Sequence, residues 1–526
     1  MKIKNLFFTL AAGVALTACS SDEPAANGGQ TGNGDFNYVA VSIQGAPEAS
    51  GKADGDYADG EASEYNVNGG AIFVFFRPDG SLLQYVKKTA AELGDWTDIN
   101  DKTANKEIKT VVKLNASSVK PASVVCVLNP TPNFETALGG VGSLTGLRNR
   151  AFTTLAEVAK TNEFTMTNSV YSNGTAPVYA TAIAANQVYT SQAEAEAATA
   201  STIDIYVERV VAKAVVTPVS TGFQNGGLTN ADVVGSDDKL TITPKIEGYA
   251  LITTTTTASV LKSIDDLALN AYSPWEWNDA TNFRSYWAAN GSREVANLSW
   301  DEIDAANEGG FTQYVFPNNQ DPSADVNNYT KSTKLIVAAT LQCDGKDIAP
   351  IKYANVLYKD ETAYLTQIAA ELKSSNIGYS YVDGENTVTG DYDASDLVVV
   401  RYKENGDDHA YKITFALKAD SKKTPANQAN FDAFVANAKP ALYWKGGKTY
   451  YYVPVNHIAA SKMYGMIRNH CYMITVNGLG QSLGTPVFDP TEKIEPNRPT
   501  DDPDNYISAR VRILKWRVVN QNVTLE

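Results

Sequence analysis

The sequence predicts an all-β protein with some short helices, built as β-sandwiches. Three observations predict it. Short runs of β-branched and aromatic residues recur and end in turn residues, as Ala71-Ile72-Phe73-Val74-Phe75-Phe76 ends in Arg77-Pro78-Asp79-Gly80. Helical periodicity is limited to 153–160, 362–373 and the Ala-rich 192–200. No alternation of strands and helices supports a parallel sheet, so sandwiches are favoured over doubly wound folds. At 526 residues the chain exceeds what one hydrophobic core usually supports, and two domains are expected.

At the amino terminus Lys2 and Lys4 precede an apolar run, 6–18, which closes on Leu16-Thr17-Ala18-Cys19. The run is too short to span a bilayer as a helix and reads as a secretory signal, 1–18. Residues 20–70 hold nine acidic residues and one basic residue, Lys52. Such a composition buries too little apolar surface to offset chain entropy, and mobility is expected. One island interrupts it: Val39, Val41 and Ile43 share a face at period two and predict a strand.

Further strands are expected at 71–76, 124–128, 203–216, 240–246, 334–342, 397–403, 410–416 and 450–455. The Gly/Asn-rich stretch 222–235 suggests the division of the body into 53–217 and 218–488. From 489 to 505 Pro490, Pro496, Pro499 and Pro503 stand among acidic residues and favour an extended spacer. The tail beyond it places Ile507, Ala509, Val511 and Ile513 on one face. Its frame then shifts at Ile513-Leu514, and Trp516 and Val518 continue the alternation. Arg510, Arg512, Lys515 and Arg517 interleave, basic residues expected to meet an acidic neighbour.

Composition narrows the function. A net charge of -15 leaves no basic face for nucleic acid. Three His and four Cys offer little for metal or imidazole chemistry. Besides Cys19 the thiols are Cys126, Cys343 and Cys471, an odd number, and the apolar contexts of Cys126 and Cys471 read as buried strand positions. No nucleophile elbow, phosphate loop, zinc-protease or CxxC motif occurs, and His409, His457 and His470 stand apart in the sequence. Asp54, Asp56, Asp59 and Glu61 lack calcium-loop spacing. No catalytic residue, metal site or cofactor is assigned. Trp275, Trp277, Tyr286 and Trp287, with Arg284, give an alternative reading as a sugar platform on a surface glycan-binding lipoprotein. A glycosidase with paired carboxylates is a third, for which no pair stands out.

The two ends mirror each other, each an apolar alternating strand beyond a linker. Cleavage after Lys52 would release the first strand, leaving unpaired backbone and an apolar trough for a second chain's tail. A head-to-tail contact of this kind does not close and yields a filament.

Leu16-Thr17-Ala18-Cys19 resembles the lipobox of bacterial lipoproteins. Val207-Glu208-Arg209-Val210-Val211-Ala212-Lys213, Asn282-Phe283-Arg284-Ser285-Tyr286-Trp287, Ile467-Arg468-Asn469-His470-Cys471-Tyr472, Leu483-Gly484-Thr485-Pro486 and Val511-Arg512-Ile513-Leu514-Lys515-Trp516-Arg517-Val518-Val519 follow in order. Together they resemble the fimbrillins of Bacteroidetes, stalk subunits of type V pili, and within them the minor-fimbria major-subunit branch. The resemblance implies two transthyretin-like β-sandwich domains and export as an outer-membrane lipoprotein lipidated at Cys19. It also implies a prosegment, 19–52, removed at Lys52/Ala53 by a trypsin-like surface protease, and donor-strand assembly of copies through 489–526. Anchor, accessory and tip subunits would be further partners, adhesion the consequence, and an accessory or tip role for this chain itself the alternative within the family. Well-known family members are processed after Arg, where this chain offers Lys52.

Overall fold

The computed structural model describes residues 37–45, 62–98, 106–115, 119–172, 176–198, 202–218, 228–236, 239–264, 295–303, 305, 310–319, 332–458, 463–479, 482–494, 507–514 and 521–522. The first half carries β1 (Asn37–Gly45), β2 (Ala71–Phe76), β3 (Leu82–Lys88), β4 (Lys106–Leu114), β5 (Ser123–Leu128), β6 (Met166–Asn168) and β7 (Ile203–Arg209). They form one sheet in the order β3-β2-β5-β6-β7-β1-β4.

β2 and β5 are apolar almost throughout because both of their faces are covered, which removes the usual polar alternation. On one face Phe73, Phe75, Val124 and Cys126 meet Val41, Ile43, Ile108 and Ile205 in a shared core, so the sheet curls over its own interior. On the other, Ile72, Val74, Val125 and Val127 pack with Phe134 and Leu138 of the helix Pro132–Leu138. The turn after β2 forms as its residues require: Gly80 takes a φ of +80°, and Asp79 Oδ1 accepts from the Ser81 amide at 2.9 Å.

The second half carries β8 (Ala212–Thr217), β9 (Leu240–Ile252), β10 (Phe311–Val315), β11 (Lys334–Cys343), β12 (Lys448–Pro454), β13 (Cys471–Leu479) and β14 (Ile507–Leu514). Sheets β10-β8-β13-β14 and β9-β11-β12 face each other. Ala214, Tyr472 and Ile474 of the first interdigitate with Tyr249, Val337 and Tyr451 of the second, a sandwich core. The all-β class with a few short helices is thus what the chain adopts.

Three details differ from expectation. The run 203–216 is two strands: the chain leaves the first sheet after Arg209 and enters the second at Ala212, so the crossing precedes the 217/218 division. The β9 strand outruns its expected end at 246 because a bulge between Ile246 and Gly248 absorbs a register shift and lets pairing with β11 continue. Third, β11 and β12 are antiparallel neighbours, Thr340 opposite Lys448, yet the chain between them folds as an α/β lobe, whose sheet also takes in Val233–Val234. The lobe's sheet includes Leu397–Glu404 and Asp407–Leu417, and the helices Glu361–Ser374 and Gln428–Asn437 cover it with Leu365, Ile368, Leu372 and Phe431. Asp360 caps the first helix, accepting from the Ala363 amide at 2.9 Å.

Candidate functional site

β1 sits inside its sheet. It runs antiparallel to β4, with Val39 opposite Val112 and Ile43 opposite Ile108, and parallel to β7, with Val41 opposite Ile203 and Ile43 opposite Ile205. Val39, Val41 and Ile43 are 0% exposed. Burial of each side chain contributes about 1.5–3 kcal/mol against full exposure. Withdrawing β1 would leave two facing edges, β4 and β7, and a trough lined by the shared core.

The other face of β1 carries Ser42. Ser42 is fully buried and its Oγ donates to Glu107 Oε1 at 2.5 Å. Asp204 lies opposite Ser42 on β7. Asp204 is exposed to solvent along one side; partial burial of its carboxyl pushes it up, the Glu107 charge adds to this, and hydrogen bonds with Thr202 and Ser42 offset only part. Lys109 Nζ meets Glu107 Oε2 at 3.1 Å from the solvent side.

The carboxyl-terminal strand β14 lies antiparallel on β13, from Cys471 opposite Leu514 to Leu479 opposite Ile507, with a bulge between Val476 and Gly478. Ile507, Ala509, Val511 and Ile513 occupy alternate positions of it, and the two-residue strand Gln521–Asn522 lies on its far side. β13 pairs in turn with β8 in parallel, as β1 does with β7.

Between these two arrangements lies a buried ionic junction. Lys213 Nζ donates to Glu64 Oε1 at 2.7 Å and the Tyr314 hydroxyl donates to the same oxygen. Arg209 Nε donates to the Glu64 carbonyl at 3.1 Å, and its amide and Nη1 each donate to Asn469 Oδ1 at 3.2 Å. Lys262 Nζ donates to Glu208 Oε2 at 2.9 Å, with Arg468 Nε 3.6 Å from Glu208 Oε1. Burial pushes the Glu64 carboxyl up, but the hydrogen bonds from Lys213 and Tyr314 and the charges of Arg209 and Lys213 outweigh it, holding the group below its ordinary value. His470 is buried with Nδ1 2.7 Å from the Arg468 carbonyl, as a structural histidine should be. The segments 207–213 and 467–472, noted separately in the sequence, therefore meet in space. Their one shared signal was charge within apolar sequence, since a buried charge requires a partner.

Cys126 and Cys471 are buried, and burial pushes the Cys126 thiol up, which makes it inert. Cys19, Lys52, Ala53, Trp516 and Val518 lie outside the described residues. So do Trp275, Trp277, Arg284, Tyr286 and Trp287, and the acidic run from Asp54 to Glu61.

Residues 442–522 match the family model described as "Major fimbrial subunit protein type IV, Fimbrillin, C-terminal". That span holds β12, β13 and β14. No curated protein matches. Among solved structures, a candidate cell adhesion protein from Parabacteroides distasonis ATCC 8503 is similar at 12% identity and a TM-score of 0.42, over 92% of this chain and 98% of its own. A fimbrilin (FimA) from Porphyromonas gingivalis W83 gives 12% and 0.38 over 92% and 98%. The tip fimbrial protein Mfa3 from Porphyromonas gingivalis, truncated at its carboxyl end, gives 11% and 0.32 over 91% and 100%. Similarities this distant carry no inference about assembly or ligands.

Proposed function

The chain carries the carboxyl-terminal region of the fimbrillins and belongs to that family, and from this premise we propose that it is a self-polymerising fimbrial stalk subunit assembled by strand exchange. The observation that carries the reading is the position of β1: an inner strand, bonded on both sides and fully buried on one face, yet joined to the body through the segment that contains Lys52. A strand so placed acts as an internal plug. Cleavage between Lys52 and Ala53 by a trypsin-like surface protease lets it leave, and the 507–514 strand of another copy takes its place. The body on either side of Val210-Val211 forms the two sandwich domains of the subunit.

In this reading the precursor is lipidated at Cys19 and held at the outer membrane until cleavage releases it into an extracellular fimbrium. Other copies of the chain are its main partners, with anchor, accessory and tip subunits at the ends, and adhesion follows from the filament. Stalk rather than tip is favoured by the alternating strand behind a Pro-rich spacer, a segment built to be donated.

Two variants test it. Lys52→Gln should leave a folded monomer that does not polymerise on trypsin treatment, followed by amino-terminal sequencing and particle size. A chain ending at Asn505 should fold, be cleaved, and fail to form long filaments alone. Filaments from either variant would overturn the reading.

A further inference from the structure

Resting on the strand-exchange reading, we propose that Glu107 and Asp204 form an arginine-selecting clamp beside the β1 slot, and that the clamp favours the arrangements in which a second copy's carboxyl-terminal strand brings an arginine to the place of Ser42. Both carboxylates face one residue of β1, Ser42. A hydroxyl has one proton to donate, so it serves one carboxylate at a time. Lys109, opposite Ser42 on β4, approaches Glu107 from solvent. Among the described residues, two carboxylates thus stand against one cation, and Asn37–Gly45 contains no charged residue. The resident strand brings no positive charge to these two carboxylates.

The incoming strand can supply that charge. Its sequence alternates Ile507, Ala509, Val511 and Ile513 with Ser508, Arg510 and Arg512. Seating three successive apolar residues at the positions of Val39, Val41 and Ile43 brings one interleaved residue to the position of Ser42. If the strand runs as β1 does, that residue is Arg510 or Arg512 in the two available registers. In the reverse direction it is Arg510 in one register and Ser508 in the other. A slip by a single residue would turn an arginine into the apolar trough. A guanidinium carries five donors in a planar fork and can serve both carboxylates together, which a serine cannot. The clamp therefore does two things: it disfavours the reverse register that offers Ser508, and it makes the foreign strand a better occupant than the resident one.

The test is a double-mutant cycle on the full-length chain, activated with trypsin and followed by filament elongation rate. Glu107→Gln with Asp204→Asn should slow elongation about tenfold, the size typical of a charge pair at an interface. One of Arg510→Gln and Arg512→Gln should slow it as much, and adding it to the double carboxamide variant should cost nothing further. Gln and Asn keep an acceptor for Ser42, so the uncleaved variant should melt at or above the parent temperature, which separates loss of the clamp from misfolding. Unchanged elongation, or losses that simply multiply, would overturn the clamp if the chain ending at Asn505 still fails to polymerise. If that truncated chain polymerises, strand exchange itself fails and the clamp falls with it.

Discussion

Glu64 shows how far a single residue can depart from its sequence context. By composition it is one of nine acids in a solvated linker, yet it is 0% exposed and holds Lys213, Arg209 and Tyr314. Nothing local distinguishes it from Glu61, because its partners lie 145 to 250 residues away. Glu64→Ala leaves the Lys213 ammonium buried without its carboxylate and should destabilise the protein by about 3–5 kcal/mol in denaturant titration. The pH dependence has a definite sign. A carboxylate held below its ordinary value of 4.5 adds stability that is complete above that pH and lost as acid protonates the folded form. The parent should therefore lose stability below about pH 4.5 more steeply than the variant.

Strands were the legible elements. Val39, Val41 and Ile43 could be placed on one face because period-two burial is a local property, and the structure buries all three. The break between β7 and β8 was not legible: Val210 and Val211 are as apolar as the strands they separate, and both are buried in a third core. Whether an apolar run continues in one sheet or passes to another is decided by distant partners. The strand proposed as the plug can be weakened as an element. Ile43→Ala removes a fully buried side chain from β1 and should cost the precursor about 2–5 kcal/mol. Since this loss falls on the resident strand and not on its replacement, trypsin-activated assembly should become faster. Unchanged assembly kinetics alongside the expected loss of precursor stability would show that release of β1 does not limit the process.

At the scale of the molecule, the predominance of β-structure followed from the recurrence of short apolar runs, and the lobe did not. Its pieces at 362–373, 397–403 and 410–416 were visible singly, but the pairing of β11 with β12 across the intervening chain leaves no local trace. Trp444 fastens the lobe to the body: it is 2% exposed, packs with Ile242, Leu341 and Leu483, and donates from Nε1 to the Gly484 carbonyl at 3.2 Å. Trp444→Ala should remove about 3–5 kcal/mol from this contact. Scanning calorimetry of the full chain should then resolve a separate transition for the lobe while the sandwich keeps its own, because each has its own core.

The direct passage of β7 into β8 has a mechanical meaning. In the filament proposed above, the strand drawn from one neighbour would lie against β7, while β8 holds β13, from which the chain would run out to the next neighbour. Tension would enter at the slot, cross two buried valines along the covalent backbone, and leave through the β8–β13 ladder. The lobe between β11 and β12 stands to one side of that line, so its surface can diversify without weakening the cable.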